Sequence, residues 1–111
     1  MIKLITYIRQ HPDITFIIGH LYQLELFLKE DKKYFKNTYF DLSNLYFVSK
    51  ERTMMAYEHF GAEHLLLGSD TPYGKHALED TIDQIEQLEI PEQEKKLIMG
   101  ENLERIINRE I

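Results

Sequence analysis

Apolar residues follow two rhythms along this chain. Ile2, Leu4, Ile5 and Ile8 recur at helical spacing until His11-Pro12-Asp13 breaks the pattern. Ile14-Thr15-Phe16-Ile17-Ile18 comes next, a bare apolar run of the kind that forms a strand buried on both faces. Leu21, Leu24, Phe27, Leu28 and Phe35 then lay out a helical stripe that closes at a Lys36-Asn37 turn. The β-branched and aromatic stretch 38–43 (Thr-Tyr-Phe-Asp-Leu-Ser) predicts a second strand. Ser49 has the side chain of an N-cap for a helix reaching about Phe60, with Gly61 as its C′ residue. A third strand is expected over His64–Gly68. Leu78, Ile82, Ile85 and Leu88 define a further helix, Pro91 suits the first turn of another, and Gly100 precedes a last stripe of Leu103, Ile106, Ile107 and Ile111.

The predicted order is α-β-α-β-α-β-α-α-α, without repeats or linkers. Strands that alternate with helices imply right-handed crossovers and a parallel sheet, so the fold class is α/β. Three strands are few for such a sheet, and a complete (β/α)8 barrel takes about 250 residues. The 111 residues therefore read as a single partial domain, 1–111, that looks like the last three βα units of something larger.

Composition narrows the partners. Thirteen basic against nineteen acidic residues leave a net charge of −6, with no basic cluster beyond the Lys32-Lys33 and Lys95-Lys96 pairs, which argues against nucleic acid and anionic membrane surfaces. No cysteine is present, so neither disulfides nor thiolate metal sites are available and a cytoplasmic chain is the expectation. The first ten residues lack the apolar core of a signal peptide, and no apolar run approaches the roughly 20 residues that span a bilayer.

Two strand ends carry chemistry. The first ends in Gly19-His20, the third in Gly68-Ser69-Asp70-Thr71-Pro72-Tyr73. A histidine and a carboxylate at the C-terminal mouths of parallel strands stand where α/β enzymes place metal ligands and acid/base groups. From local pattern alone Asp70 also suits an Asx turn, and His20 an ordinary loop position. Asp41 and Ser43, at the end of the second strand, are the types that form turns, with a pocket-lining role as the alternative. Thr71 and Tyr73 are candidates for the rim of a substrate mouth or for a packed turn. Asn102 is expected to be structural, capping the final helix. His11, His59, His64 and His76 are expected at the surface or at helix ends, and Met54-Met55 in helix packing.

Four segments in the same order carry a resemblance to a known family: Ile17-Ile18-Gly19-His20; Tyr39-Phe40-Asp41-Leu42-Ser43; the stretch 60–73 with its Leu-Leu-Leu-Gly-Ser-Asp-Thr-Pro; and 98–107, Ile-Met-Gly-Glu-Asn-Leu-Glu-Arg-Ile-Ile. Together they resemble the C-terminal part of the amidohydrolase superfamily, in the branch that includes aminocarboxymuconate-semialdehyde decarboxylase and the pyrone-dicarboxylate lactonases. The resemblance implies that the chain's βα units are the last three of a (β/α)8 TIM barrel, here incomplete, and that the protein is a metal-dependent hydrolase or decarboxylase acting on a small-molecule substrate. It implies that His20 and Asp70 are metal-facing and catalytic, with zinc or manganese as the family's divalent ion. The family's His-x-His pair on its first strand and histidine on its fifth have no counterpart here. Leu21-Tyr22 also stands where the family usually has a small residue or a glycine pair. The expectation is thus a chain not catalytically complete alone, which works as a homo-oligomer or with a partner chain. The alternatives are a non-catalytic truncated remnant and an oligomerising α/β interaction module. A receiver-like domain is disfavoured because no acidic pair near the first strand and no strand-end lysine are found.

Overall fold

The computed structural model describes residues 2–43, 48–68 and 77–110. Asp70, Thr71, Tyr73 and His76 lie outside the described residues. Within them the elements run α1 (Ile2–Gln10), β1 (Phe16–Ile18), α2 (Leu24–Phe27), β2 (Thr38–Asp41), α3 (Lys50–Phe60), β3 (Leu65–Leu66), α4 (Ala77–Glu86), α5 (Glu92–Lys96) and α6 (Asn102–Glu110). The strands form one parallel sheet in the order β1-β2-β3, with Ile17 beside Tyr39 and Phe40 beside Leu65. The α/β class, the order of elements and the parallel direction are as expected from the alternation of apolar runs and stripes.

Alternation along the strands gives the sheet two unlike faces. Ile18, Phe40, Leu42 and Leu65 point into the main core, which also takes Ile5 and Ile8 of α1, Leu24 and Phe27 of α2, Ala56 and Phe60 of α3, and Ile85 of α4. Its centre is aromatic. Phe27 meets Phe35 and Phe40 edge-on at ring-centroid distances of 5.4 and 5.2 Å, and Phe60 lies 4.8 Å from Phe40. Such pairs contribute about 0.5–1.5 kcal/mol each beyond the area they bury. The opposite face is thinner. There Tyr39 and Leu66 are covered by Ile106 of α6.

Two features differ from the sequence reading. The strands are shorter than predicted, and the expected helix over 21–35 is broken into α2 and a 3₁₀ turn at Lys32–Phe35. The break has local causes. His20, Leu21 and Gln23 have φ values of 57°, 53° and 57°, so the chain leaves β1 through left-handed backbone rather than entering a helix. Further on, Asp31 caps the 3₁₀ turn by accepting from the Lys33 N–H at 2.9 Å. The predicted Ser49 cap is present: its hydroxyl accepts from the Arg52 N–H at 3.1 Å. Gly61, at φ 94°, ends α3 with its N–H on the Tyr57 carbonyl at 2.8 Å. Met54 packs against the core, whereas Met55 is exposed. No helix among the described residues is long and apolar enough to cross a membrane.

Candidate functional site

Parallel strands place all their C-terminal ends on one edge of the sheet, and β1 and β2 are neighbours. The residues that follow β1 therefore meet those at the end of β2. Asp41 and Ser43, two apart on β2 and its extension, lie on the same side of the strand. His20 comes to them from the left-handed turn after β1.

The three side chains converge. The Ser43 hydroxyl donates a short hydrogen bond to Asp41 Oδ2. His20 Nδ1 lies 3.1 Å from that hydroxyl and 3.2 Å from the Ser43 carbonyl oxygen. The His20 backbone N–H donates to Asp41 Oδ2 at 3.3 Å, and the imidazole stands 3.6 Å from the same oxygen. Ser43 is buried at 2% exposure, while the side chains of Asp41 and His20 keep 20% and 36% of theirs. The cluster is thus anchored at a buried serine and presents its imidazole outward.

A cavity of about 430 Å³ opens beside this cluster, lined by Ile17, Gly19, His20, Asp41, Ser43, Leu66, Leu67, Gly68 and Leu103. Gly68 is required by contact. A Cβ there would overlap Asp41 Oδ1 and press on the Ser43 Cβ at 3.2 Å. A second hollow of about 330 Å³ is lined by His20, Tyr22, Gln23 and Arg52. Arg52 braces the turn that carries His20: its guanidinium donates to the Leu21 carbonyl at 2.9 Å and forks onto Glu25 at 2.9 and 3.1 Å. That hydrogen bond, above all, holds the Glu25 carboxyl below the usual carboxylate range.

The sequence reading placed His20 at this edge, and that is where it lies. Asp70, the other candidate, is outside the described residues. Asp41 and Ser43 line the cavity, which is the alternative to their reading as turn formers. The signal that would have found them is their Asp-x-Ser spacing at a strand end, which puts both on one face beside the histidine of the preceding strand. His64 sits at a helix end as expected, with Nδ1 at 2.7 Å from the Thr38 carbonyl and its ring stacked on Tyr39. His59 likewise closes α3, 2.8 Å from the Glu30 carbonyl. Both are structural ties, and neither lines the cavity.

The donor chemistry suits a divalent ion in part. Imidazole and carboxylate are ordinary ligands of first-row metals, and ligating histidines characteristically rest their second nitrogen on a carbonyl or carboxylate, as His20 does on Ser43. Among the described residues, no three His, Cys, Asp or Glu side chains gather to hold an ion. No protein-family model matches the chain, and no curated protein matches it.

Proposed function

We propose that this chain is the C-terminal part of an amidohydrolase-related, metal-dependent hydrolase or decarboxylase. In this reading its three βα units are the last three of a TIM barrel, and its site lies at the C-terminal edge of the sheet. The observation that carries the reading is the convergence of His20, Asp41 and Ser43 on a cavity at that edge, brought together from two parallel strands. Leu21, where the chain departs from the family's usual small residue or glycine pair, has the left-handed backbone that glycine favours.

In this reading His20 and Asp70 face a zinc or manganese ion. Such an ion, when bound, polarises the substrate and lowers the pKa of its water. The chain's own residues do the positioning. Ser43 and Asp41 hold the His20 ring, and Gly68 leaves space for the Asp41 carboxylate. Ile17, Leu66 and Leu103 supply an apolar wall against which a small organic substrate packs. His20 and Asp70 are two ligands, whereas a catalytic zinc site uses three protein ligands and a water. Activity then requires another chain to complete the barrel.

The exposed apolar residues fit that requirement. Ile17 is 51% exposed on β1, and Leu103 and Ile107 of α6 are 39% and 49% exposed. Among the described residues β1 is also an edge strand, and open edges beside apolar surface favour association. The same feature supports the second reading, an oligomerising α/β module without chemistry of its own.

Zinc and manganese titration of the pure chain separates the two. The expected result is weak binding in the isolated chain, abolished by both His20→Ala and Asp70→Ala. No metal-dependent heat and no metal-dependent shift in melting temperature, in the chain alone or mixed with its completing partner, would leave the module reading in place.

A further inference from the structure

We infer that Asp41, acting through Ser43, fixes His20 in its Nδ1–H form and so makes Nε2 the ring atom that binds a divalent ion. The identity of the bound group rests on the proposed function; the tautomer does not.

The proton assignment follows from what each partner is able to do. A backbone carbonyl only accepts, so the 3.2 Å approach of His20 Nδ1 to the Ser43 carbonyl oxygen requires a proton on Nδ1. The Ser43 hydroxyl gives the same answer independently. An ionised carboxylate also only accepts, so the hydroxyl's single proton is committed to Asp41 Oδ2. Its lone pairs are then what faces Nδ1 at 3.1 Å. Both contacts demand an N–H at the same nitrogen. A neutral imidazole has one N–H, which puts the ring's lone pair on Nε2.

Asp41 is the residue that sets this polarity, and it is held against turning away. Its Oδ2 also takes the His20 backbone N–H at 3.3 Å, and its Oδ1 lies where a side chain on Gly68 would stand. Ser43 is buried at 2% exposure, so bulk water does not compete for the hydroxyl. Isolated neutral histidine favours the opposite tautomer, which makes the prediction specific to this arrangement. Asp41 and Ser43 are positioning residues: they act on a ligand only through His20. Outer partners of this kind typically change metal affinity 10- to 100-fold when removed.

The test uses the whole chain labelled with ¹⁵N-histidine, observed by long-range ¹H–¹⁵N correlation at about pH 8. His20→Gln assigns the His20 signals. The expected spectrum has a protonated Nδ1 and an unprotonated Nε2 for His20, and zinc chloride moves Nε2. Ser43→Ala and Asp41→Ala leave the Ser43 carbonyl as the remaining fixed acceptor at Nδ1, so each should raise the Nε2–H share of His20 without abolishing the Nδ1–H form, and should raise the zinc midpoint about 10- to 100-fold. Asp41→Asn keeps an acceptor oxygen for Ser43 and should retain the Nδ1–H form. An Nε2–H tautomer in the unmodified chain overturns the inference without recourse to any variant. So does a tautomer and zinc response unchanged in Ser43→Ala and Asp41→Ala. An Nδ1–H form that both variants weaken, with zinc moving no histidine nitrogen, upholds the relay and overturns the metal reading instead.

Discussion

Gly68 shows at the scale of a single residue how closely the site is built. The Asp41 carboxylate fills the space where any other side chain at 68 would begin, and an added Cβ would also press on Ser43. The carboxylate is the end of a short side chain, but the Ser43 hydroxyl and the His20 N–H both hold it, so it moves only by giving up those bonds. Gly68→Ala should therefore destabilise the fold by about 1–3 kcal/mol, the usual range for overpacking. In an Asp41→Ala background the same change should cost less, with a coupling of at least about 0.5 kcal/mol in a urea-unfolding cycle. Equal costs with and without the Asp41 carboxylate would show that the two do not share this space. His20 was legible as a site residue because a histidine ending an apolar run is unusual. Asp41 and Ser43 were not, because aspartate and serine after a strand ordinarily mean a turn. Their partner lies more than twenty residues upstream, and only the pairing of β1 with β2 brings it near.

Among the elements, the departure from regular structure is concentrated in the turn after β1. Three non-glycine residues, His20, Leu21 and Gln23, adopt positive φ there. Left-handed backbone costs an ordinary side chain about 1–2 kcal/mol per residue. Leu21 is fully buried and Arg52 grips its carbonyl at 2.9 Å, which offsets the strain. Gln23 is where relief is simplest. Gln23→Gly removes the steric conflict but adds freedom to the unfolded chain, an opposing term of about 0.5–1 kcal/mol. The expected net effect is a gain of up to about 1 kcal/mol, while β-branched Gln23→Val should lose at least about 1 kcal/mol. Matching denaturation midpoints for the two variants would mean that Gln23 is not left-handed in solution. Apolar periodicity made the order of elements readable, since each stripe or run is tens of degrees of arc or a whole strand long. It did not show the interruption of the 21–35 stripe, because the apolar positions of α2 and of the 3₁₀ turn keep helical spacing on paper although the backbone between them does not.

For the molecule as a whole, α6 is the element that decides what becomes of the second sheet face. Its amphipathic stripe was plain in the sequence, but a stripe does not say which surface it covers, and Asn102 was read there as a helix cap. The residue has a different part. Fully buried, its Nδ2 donates to the carbonyls of Ala62 and Leu65 at 2.7 and 2.8 Å, tying the start of α6 to the entry of β3. Arg105 reaches the Glu63 carbonyl and Arg109 the Asn37 side chain, each from the exposed flank. Ile106 then lies over Tyr39 and Leu66. Because the amide works as a double donor to two acceptors, Asn102→Asp is the most informative change. It is nearly isosteric, yet it turns an acceptor toward two carbonyl oxygens and buries a charge with nothing opposite it. The expected loss is about 3–5 kcal/mol at pH 7, against about 1–3 kcal/mol for Asn102→Ala, which leaves the carbonyls unpaired but adds no charge. The pH dependence has a definite sign. Burial raises the folded pKa of the new carboxyl above its unfolded value of about 3.9. The folded state then binds the extra proton between those two values, so the charge penalty grows as pH rises through that window and is absent below it. Relative to Asn102→Ala, the aspartate variant should regain stability as pH falls from 7 toward 4 in urea-unfolding measurements. A difference between the two variants that stays flat over that range would place position 102 in water, and α6 would not be the cover of the second face.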